Sequence, residues 1–154
     1  MKLSTKGRYG LRALIDLAVN SDKEAVCIQS IAQRQGISEN YLEQLMRLLK
    51  KANIINSVRG AGGGYVLAKD PKEISVGDVL RALEGSLTPV SCGAINGDGE
   101  CNGADSCVTK YVWKKMDDAI TQAVDGIMIS ELAEQSRKNC DKKEAHPCVC
   151  DQKQ

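Results

Sequence analysis

At 154 residues, with 42% hydrophobic and 27% charged side chains, the chain has the size and balance of one soluble globular domain carrying an arm. No apolar run is long enough to cross a bilayer and no signal-peptide pattern follows Met1, so the expected location is cytoplasmic, with no membrane partner. The net charge of +1 divides unevenly, with 11 Lys+Arg against 5 Asp+Glu in residues 1–69 and 10 against 15 in residues 70–154.

A basic amino-terminal half is what attraction to a phosphate backbone needs, although a solvated basic surface would look the same. Within it, Thr5–Asn20 reads as a first helix: Leu11, Leu14, Ile15 and Ala18 recur at helical spacing, while Lys2, Lys6, Arg8 and Arg12 are basic. A short helix follows at Val26–Gln35, broken by Gly36, and Ser38 is a good N-cap for a third helix over 39–51. Two short helices joined by a tight glycine-containing turn make a helix-turn-helix. Cys27, before the first of them, reads as a small, inert residue.

In the third helix Leu42, Leu45, Met46, Leu48 and Leu49 form the side to be buried, and Asn40, Glu43, Gln44 and Arg47 share the opposite side. In a major groove Asn and Gln suit adenine edges, and Glu can accept from the cytosine amino group. Next, Ile54, Ile55 and Val58 suggest one strand and Tyr65, Val66 and Leu67 another, with Arg59–Gly64 as the turn. A hairpin placed directly after a recognition helix is the wing of a winged helix. Gly62 and Gly63 would let its backbone approach a duplex, and Arg59 suits a narrow, electronegative minor groove. The GAGGG run lacks the strand–loop–helix setting and the Lys-Ser/Thr of a phosphate-binding loop.

Beyond Asp70-Pro71, Ser75 caps a helix with Asp78 as its box-like partner, Val76, Val79, Leu80 and Leu83 form the apolar side, and Gly85 ends it. The stretch Cys92–Cys107, CGAINGDGECNGADSC, has no helical or strand period and reads as a loop. Seven cysteines in a cytoplasmic chain argue against a disulfide scaffold, and three thiolates on one loop suit an iron–sulfur cluster or zinc. A longer helix over 108–124 carries Val112, Met116, Ala119 and Ala123 at heptad-like spacing, widened by Trp113, Ile120, Val124 and Ile127. So broad a stripe needs a cover, either a second subunit or the chain's own first helix; two-fold symmetry would then pair half-sites on DNA. A short helix is expected at Ser130–Arg137, then a charged tail with Cys140, His146, Cys148 and Cys150, whose HxCxC spacing is a weak metal-binding motif.

Assembled, LSTKGRYGLRAL at the start, ISENYLEQL of the recognition helix, VRGAGGGYVL of the wing and ISVGDVLRALEG after it resemble the winged-helix regulators that include IscR, NsrR and CymR. The resemblance covers about residues 1–135. It implies a mainly α fold with a small β-hairpin wing, a winged helix-turn-helix domain at 1–84, a hinge and cluster-binding loop at 85–107, a dimerisation region at 108–137, and a flexible tail at 138–154. IscR-type and NsrR-type members hold an iron–sulfur cluster through three hinge cysteines, which here would be Cys92, Cys101 and Cys107; CymR-type members lack the trio and answer to cysteine metabolism through a partner protein. By the same match Asn40, Glu43 and Gln44 would face the major groove and Arg59 the minor groove. Two positions depart. Lys110 stands where IscR-type members often place a histidine ligand, and Arg8 where NsrR-type members use an aspartate from the partner subunit. Asp105, Glu100, Cys140, a tail residue or an exogenous thiol are the candidate fourth ligands.

The expected protein is a homodimeric repressor-type transcription factor on a double-stranded DNA operator. It would be governed by a cluster, 2Fe–2S in preference to 4Fe–4S, supplied by the cluster-assembly machinery, and would regulate cluster biogenesis or related stress genes. The alternatives are a 4Fe–4S sensor of nitric oxide or redox state, and a regulator of cysteine metabolism with a zinc or metal-free loop. With no CxxC pair, no paired acid and base, and no nucleophile beside a histidine, an enzyme is not expected.

Overall fold

The computed structural model describes residues 3–21, 24–92, 101, 103 and 105–143. Of the residues singled out above, Lys2, Glu100, His146, Cys148 and Cys150 lie outside the described residues.

Helix α1 (Thr5–Asn20) starts at Ser4, whose hydroxyl accepts from the Lys6 amide at 3.1 Å. Helix α2 (Ile28–Gln35) begins two residues later than its pattern predicted. The reason is tertiary: Val26 is pulled into an extended bridge with Tyr65, each donating its amide to the other's carbonyl at 2.9 Å. Gly36 ends α2 with φ of 65°, a left-handed angle that glycine adopts at little cost. Helix α3 (Glu39–Lys51) is capped by Ser38, which accepts from the Tyr41 amide at 3.3 Å. Leu42, Leu45, Met46 and Leu49 are buried as the pattern predicted, while Leu48 is only partly so.

The hairpin follows, β1 (Ile55–Val58) pairing antiparallel with β2 (Gly64–Leu67) in the register Ile55 with Leu67 and Val58 with Gly64. A 3₁₀ turn over Pro71–Glu73 leads to α4 (Val76–Glu84). Its capping box is complete: the Asp78 amide donates to Ser75 Oγ at 3.0 Å, and the Ser75 amide returns to Asp78 Oδ2 at 3.1 Å. After the cysteine segment come α5 (Thr109–Asp125) and α6 (Ile129–Lys143). The expected short helix at 130–137 therefore starts one residue earlier and ends six residues later.

The core gathers around α1. Leu14 and Leu17 are fully buried among Ile31, Leu42, Leu49 and Val79. Glycine makes the α1–α4 contact close: a Cβ at Gly10 would run into Leu83 Cδ1, and one at Gly7 would lie 2.7 Å from Glu84 Oε1. Arg34 on α2 reaches the buried Asp16 at 2.6 Å, locking the helix-turn-helix to α1, and Gln35 adds a bond of 2.8 Å to the same carboxylate.

The other face of α1 is covered by α6, not by the long helix. Ile129 and Ala133 enter the core, and Arg137 donates to the carbonyls of Ala18 and Val19 at 3.3 Å, where the helix dipole favours a cation. Helix α5 instead meets α4 through the Arg81–Asp125 ion pair. None of its residues is buried: Tyr111 is 68% and Val112 52% exposed.

Candidate functional site

The α3 face opposite the leucines is open. Asn40, Glu43, Gln44 and Arg47 are all exposed on consecutive turns, as a groove-reading helix requires. Arg47 and Glu43 approach to only 4.0 Å and both face solvent, so the pair holds neither side chain firmly. The wing lies beside this face. Arg59 is exposed at the end of β1, and Gly62 has open space around it. Gly63 has a structural task as well: its amide donates to the Gly60 carbonyl at 3.0 Å, and a Cβ there would stand 2.6 Å from the Val58 carbonyl.

Several residues that fix this surface carried no signal in the periodicity. Lys50 Nζ donates to Ser57 Oγ at 2.6 Å, tying the end of α3 to β1. A Cβ at Gly64 would collide with the Val26 carbonyl, so the Val26–Tyr65 bridge seats the wing against the stretch before α2. Burial pushes the Tyr65 phenol up, aided by the charge of Glu43 and opposed by Arg47. Tyr41 donates its hydroxyl to Thr5 Oγ1 at 3.1 Å and packs edge-on against Tyr9 with ring centroids 6.2 Å apart. Arg12 lies over the Tyr9 ring at 5.5 Å and bonds Gln35 through Nε at 3.1 Å. The one hint was compositional: a chain with no phenylalanine and four tyrosines leaves tyrosine to fill half-buried positions.

Cys92, Cys101 and Cys107 are free thiols, Cys101 exposed and the other two partly so. Cys107 stands just ahead of α5 with its sulfur 3.1 Å from Thr109 Oγ1. That hydroxyl, the backbone amides of Lys110 and Thr109, and the Lys110 charge hold the thiol below its ordinary range against a small opposing effect of burial. Unpaired thiols, one biased toward thiolate, are the donor chemistry an iron–sulfur cluster uses. Among the described residues no three His, Cys, Asp or Glu side chains lie close enough together to hold a metal ion. The fit therefore rests on the donors' chemistry.

The candidate fourth ligands are dispersed. Asp105 is exposed, and Cys140 lies on α6 in a shallow groove with Ile15 and Leu132. Lys110 places its ammonium 5.4 Å above the Tyr111 ring, and Arg8 is exposed on α1. Cys27 differs from its sequence reading. It is exposed at the start of α2, and the Ser30 hydroxyl 2.9 Å away, with the amides of Ser30 and Gln29, draws its thiol below the ordinary range.

Comparison with known proteins gives consistent matches. The family described as Rrf2, iron-dependent transcriptional regulator, matches residues 3–135. The HTH-type transcriptional regulator IscR of Escherichia coli is 42% identical over 132 residues, covering 86% of this chain and 80% of that protein. Among solved structures, IscR of T. potens superposes with a TM-score of 0.69 at 41% identity, over 96% of this chain and 93% of that one. CymR of B. subtilis, a global cysteine regulator, superposes with a TM-score of 0.72 at 39% identity, over 88% of this chain and 98% of that one.

Proposed function

Because the chain belongs to the Rrf2 family of transcriptional regulators, we propose that it is a homodimeric operator-binding repressor controlled by an iron–sulfur cluster on Cys92, Cys101 and Cys107. The observation that carries this is the pairing of an open reading surface on α3 and its wing with a loop of three free thiols. Asn40, Glu43, Gln44 and Arg47 read the major groove; Arg59, with Gly62 and Gly63 at the tip, reaches the minor groove. The exposed apolar side of α5, with Val112 and Met116, is the dimer surface, and cluster-assembly proteins of the cytoplasm are the donors. The cluster is 2Fe–2S, and when bound it supplies iron–thiolate bonds that oxidants or iron shortage can break. Its genes are those of cluster biogenesis or a related stress response.

Anaerobic purification with visible spectroscopy and iron and sulfide analysis is the test. Iron and sulfide near about two per chain, lost in each of the Cys92→Ala, Cys101→Ala and Cys107→Ala variants, is the expected result. About four of each would point to a 4Fe–4S sensor of nitric oxide or redox state. A colourless protein after reconstitution would favour a second reading, a regulator of cysteine metabolism with a zinc or metal-free loop, which the likeness to CymR of B. subtilis supports.

A further inference from the structure

We infer that Glu84 is a positioning residue that carries the state of the cysteine loop to the recognition helix through the first turn of α1. Glu84 is the last residue of α4; Gly85, with φ of 85°, then turns the chain toward Cys92. One atom, Glu84 Oε1, accepts three hydrogen bonds from the start of α1. They come from the Ser4 amide at 3.0 Å, the Ser4 hydroxyl at 2.7 Å and the Gly7 amide at 2.8 Å. Ser4 already caps α1 locally through the Lys6 amide, so the carboxylate is an additional clamp, brought in from a residue 80 positions along the chain. An acid at a helix N-terminus is well placed for both the free amides and the dipole. Gly7 makes room for it, since a side chain there would press on Oε1.

The same turn is held on its other side by α3. Thr5, between Ser4 and Lys6, accepts the Tyr41 hydroxyl, and Tyr9 one turn on packs against the Tyr41 ring. Tyr41 is flanked by Asn40 and lies two residues before Glu43, both on the reading face. A path of two hydrogen bonds thus runs from Glu84, at the end of α4, to Ser4, along the backbone to Thr5, and on to Tyr41. Its links are exposed or partly buried, while Leu80 and Leu83 of α4 stay buried beneath it. The path can therefore open while the core stays packed, which is the local two-state element that coupling between sites requires. The regulatory sense of this relay rests on the cluster reading above; the relay itself does not.

Hydrogen exchange read by mass spectrometry on the full chain tests it. In Glu84→Ala, amides of both 5–9 and 39–44 should exchange faster by about fivefold, the size of effect expected for losing one helix cap. Glu84→Gln keeps an acceptor oxygen and should restore most of the protection. In Tyr41→Phe, adding Glu84→Ala should speed 5–9 with no further change in 39–44. Should Glu84→Ala fail to fold, Ser4→Ala serves in its place. Acceleration confined to 5–9, or spread equally through all the helices, would overturn the relay. Repeating the measurement after reconstitution with iron and sulfide separates the two proposals. Slower exchange of 39–44 in the wild type but not in Tyr41→Phe supports both. No cluster formed, with the Glu84→Ala pattern still present, sinks the cluster and keeps the relay.

Discussion

Asp16 is the residue whose environment decides most. Its carboxylate is 5% exposed and takes bonds from Arg34, Gln35 and Asn20, while the Arg34 side chain remains 41% exposed. Removing the cation strands a buried charge, whereas removing a solvent-facing ion pair costs little. Arg34→Ala should therefore destabilise the fold by about 2–3 kcal/mol in urea melts, somewhat below the loss for a fully buried pair because the guanidinium already touches water. At the reading surface the expectation concerns affinity, not stability. Arg59→Ala should weaken DNA binding and blunt preference for A·T-rich minor-groove positions. On the proposed docking, in which Glu43 accepts from a cytosine amino group, Glu43→Ala should relax base choice at that position, at about 1–3 kcal/mol of discrimination for a good contact. Both follow from fluorescence anisotropy on duplexes selected from random sequence, and unchanged affinity in Arg59→Ala would argue against a docked wing.

At the scale of elements, much was legible because local rules and tertiary demands agreed. Ser38 with its apolar stripe gave α3 to the residue, and Ser75 with Asp78 gave the start of α4. The departures occur where a distant partner wins. Val26 has the pattern of a helix start but is claimed by Tyr65 from the wing, and α6 starts one residue before its predicted start because Ile129 is drawn into the core. Beyond Arg137 the helix continues with an exposed Lys138–Glu134 ion pair that no apolar pattern signals. Periodicity likewise could not show that Gly7 and Gly10 are contact residues, since glycine contributes nothing to an apolar count. The test is Gly10→Ala. Helix propensity alone would favour alanine by up to about 1 kcal/mol, but overpacking against the buried Leu83 costs about 1–3 kcal/mol. Thermal melts should show a net loss of about 1–2 kcal/mol.

For the whole molecule, the exposed polar face of α3 was legible as a pattern and the thiols as a count, but the arrangement of the thiols was not. Three cysteines on a glycine-rich loop specify donors; they do not specify where a flexible backbone holds them, and among the described residues they do not meet. The response to acid is easier to forecast. Burial opposes the charged form of Glu84, but the Ser4 hydroxyl, the amides of Gly7 and Ser4, and the nearby Lys6 together outweigh it, so its carboxyl titrates below the ordinary 4.5. A carboxyl lowered in the folded state stabilises fully above its unfolded value and loses that contribution as pH falls through the folded value. Stability should thus decline as pH falls below the ordinary 4.5 and through the lower folded value, and the decline should be shallower in Glu84→Gln. Equal slopes in calorimetry would show that the clamp does not survive in solution.

The seating of the hairpin has a consequence for how such a protein can change its taste in DNA. Because Val26 and Lys50 hold the wing by its strands, the angle of the hairpin is inherited from the body of the protein and not from its own tip. Residues 59–62 can be exchanged while the mount stays put. If α3 and the wing dock in separate grooves as proposed, one groove's preference can then be rewritten without retuning the other, and a lineage, or a laboratory, has two dials where a hinged wing would offer only one.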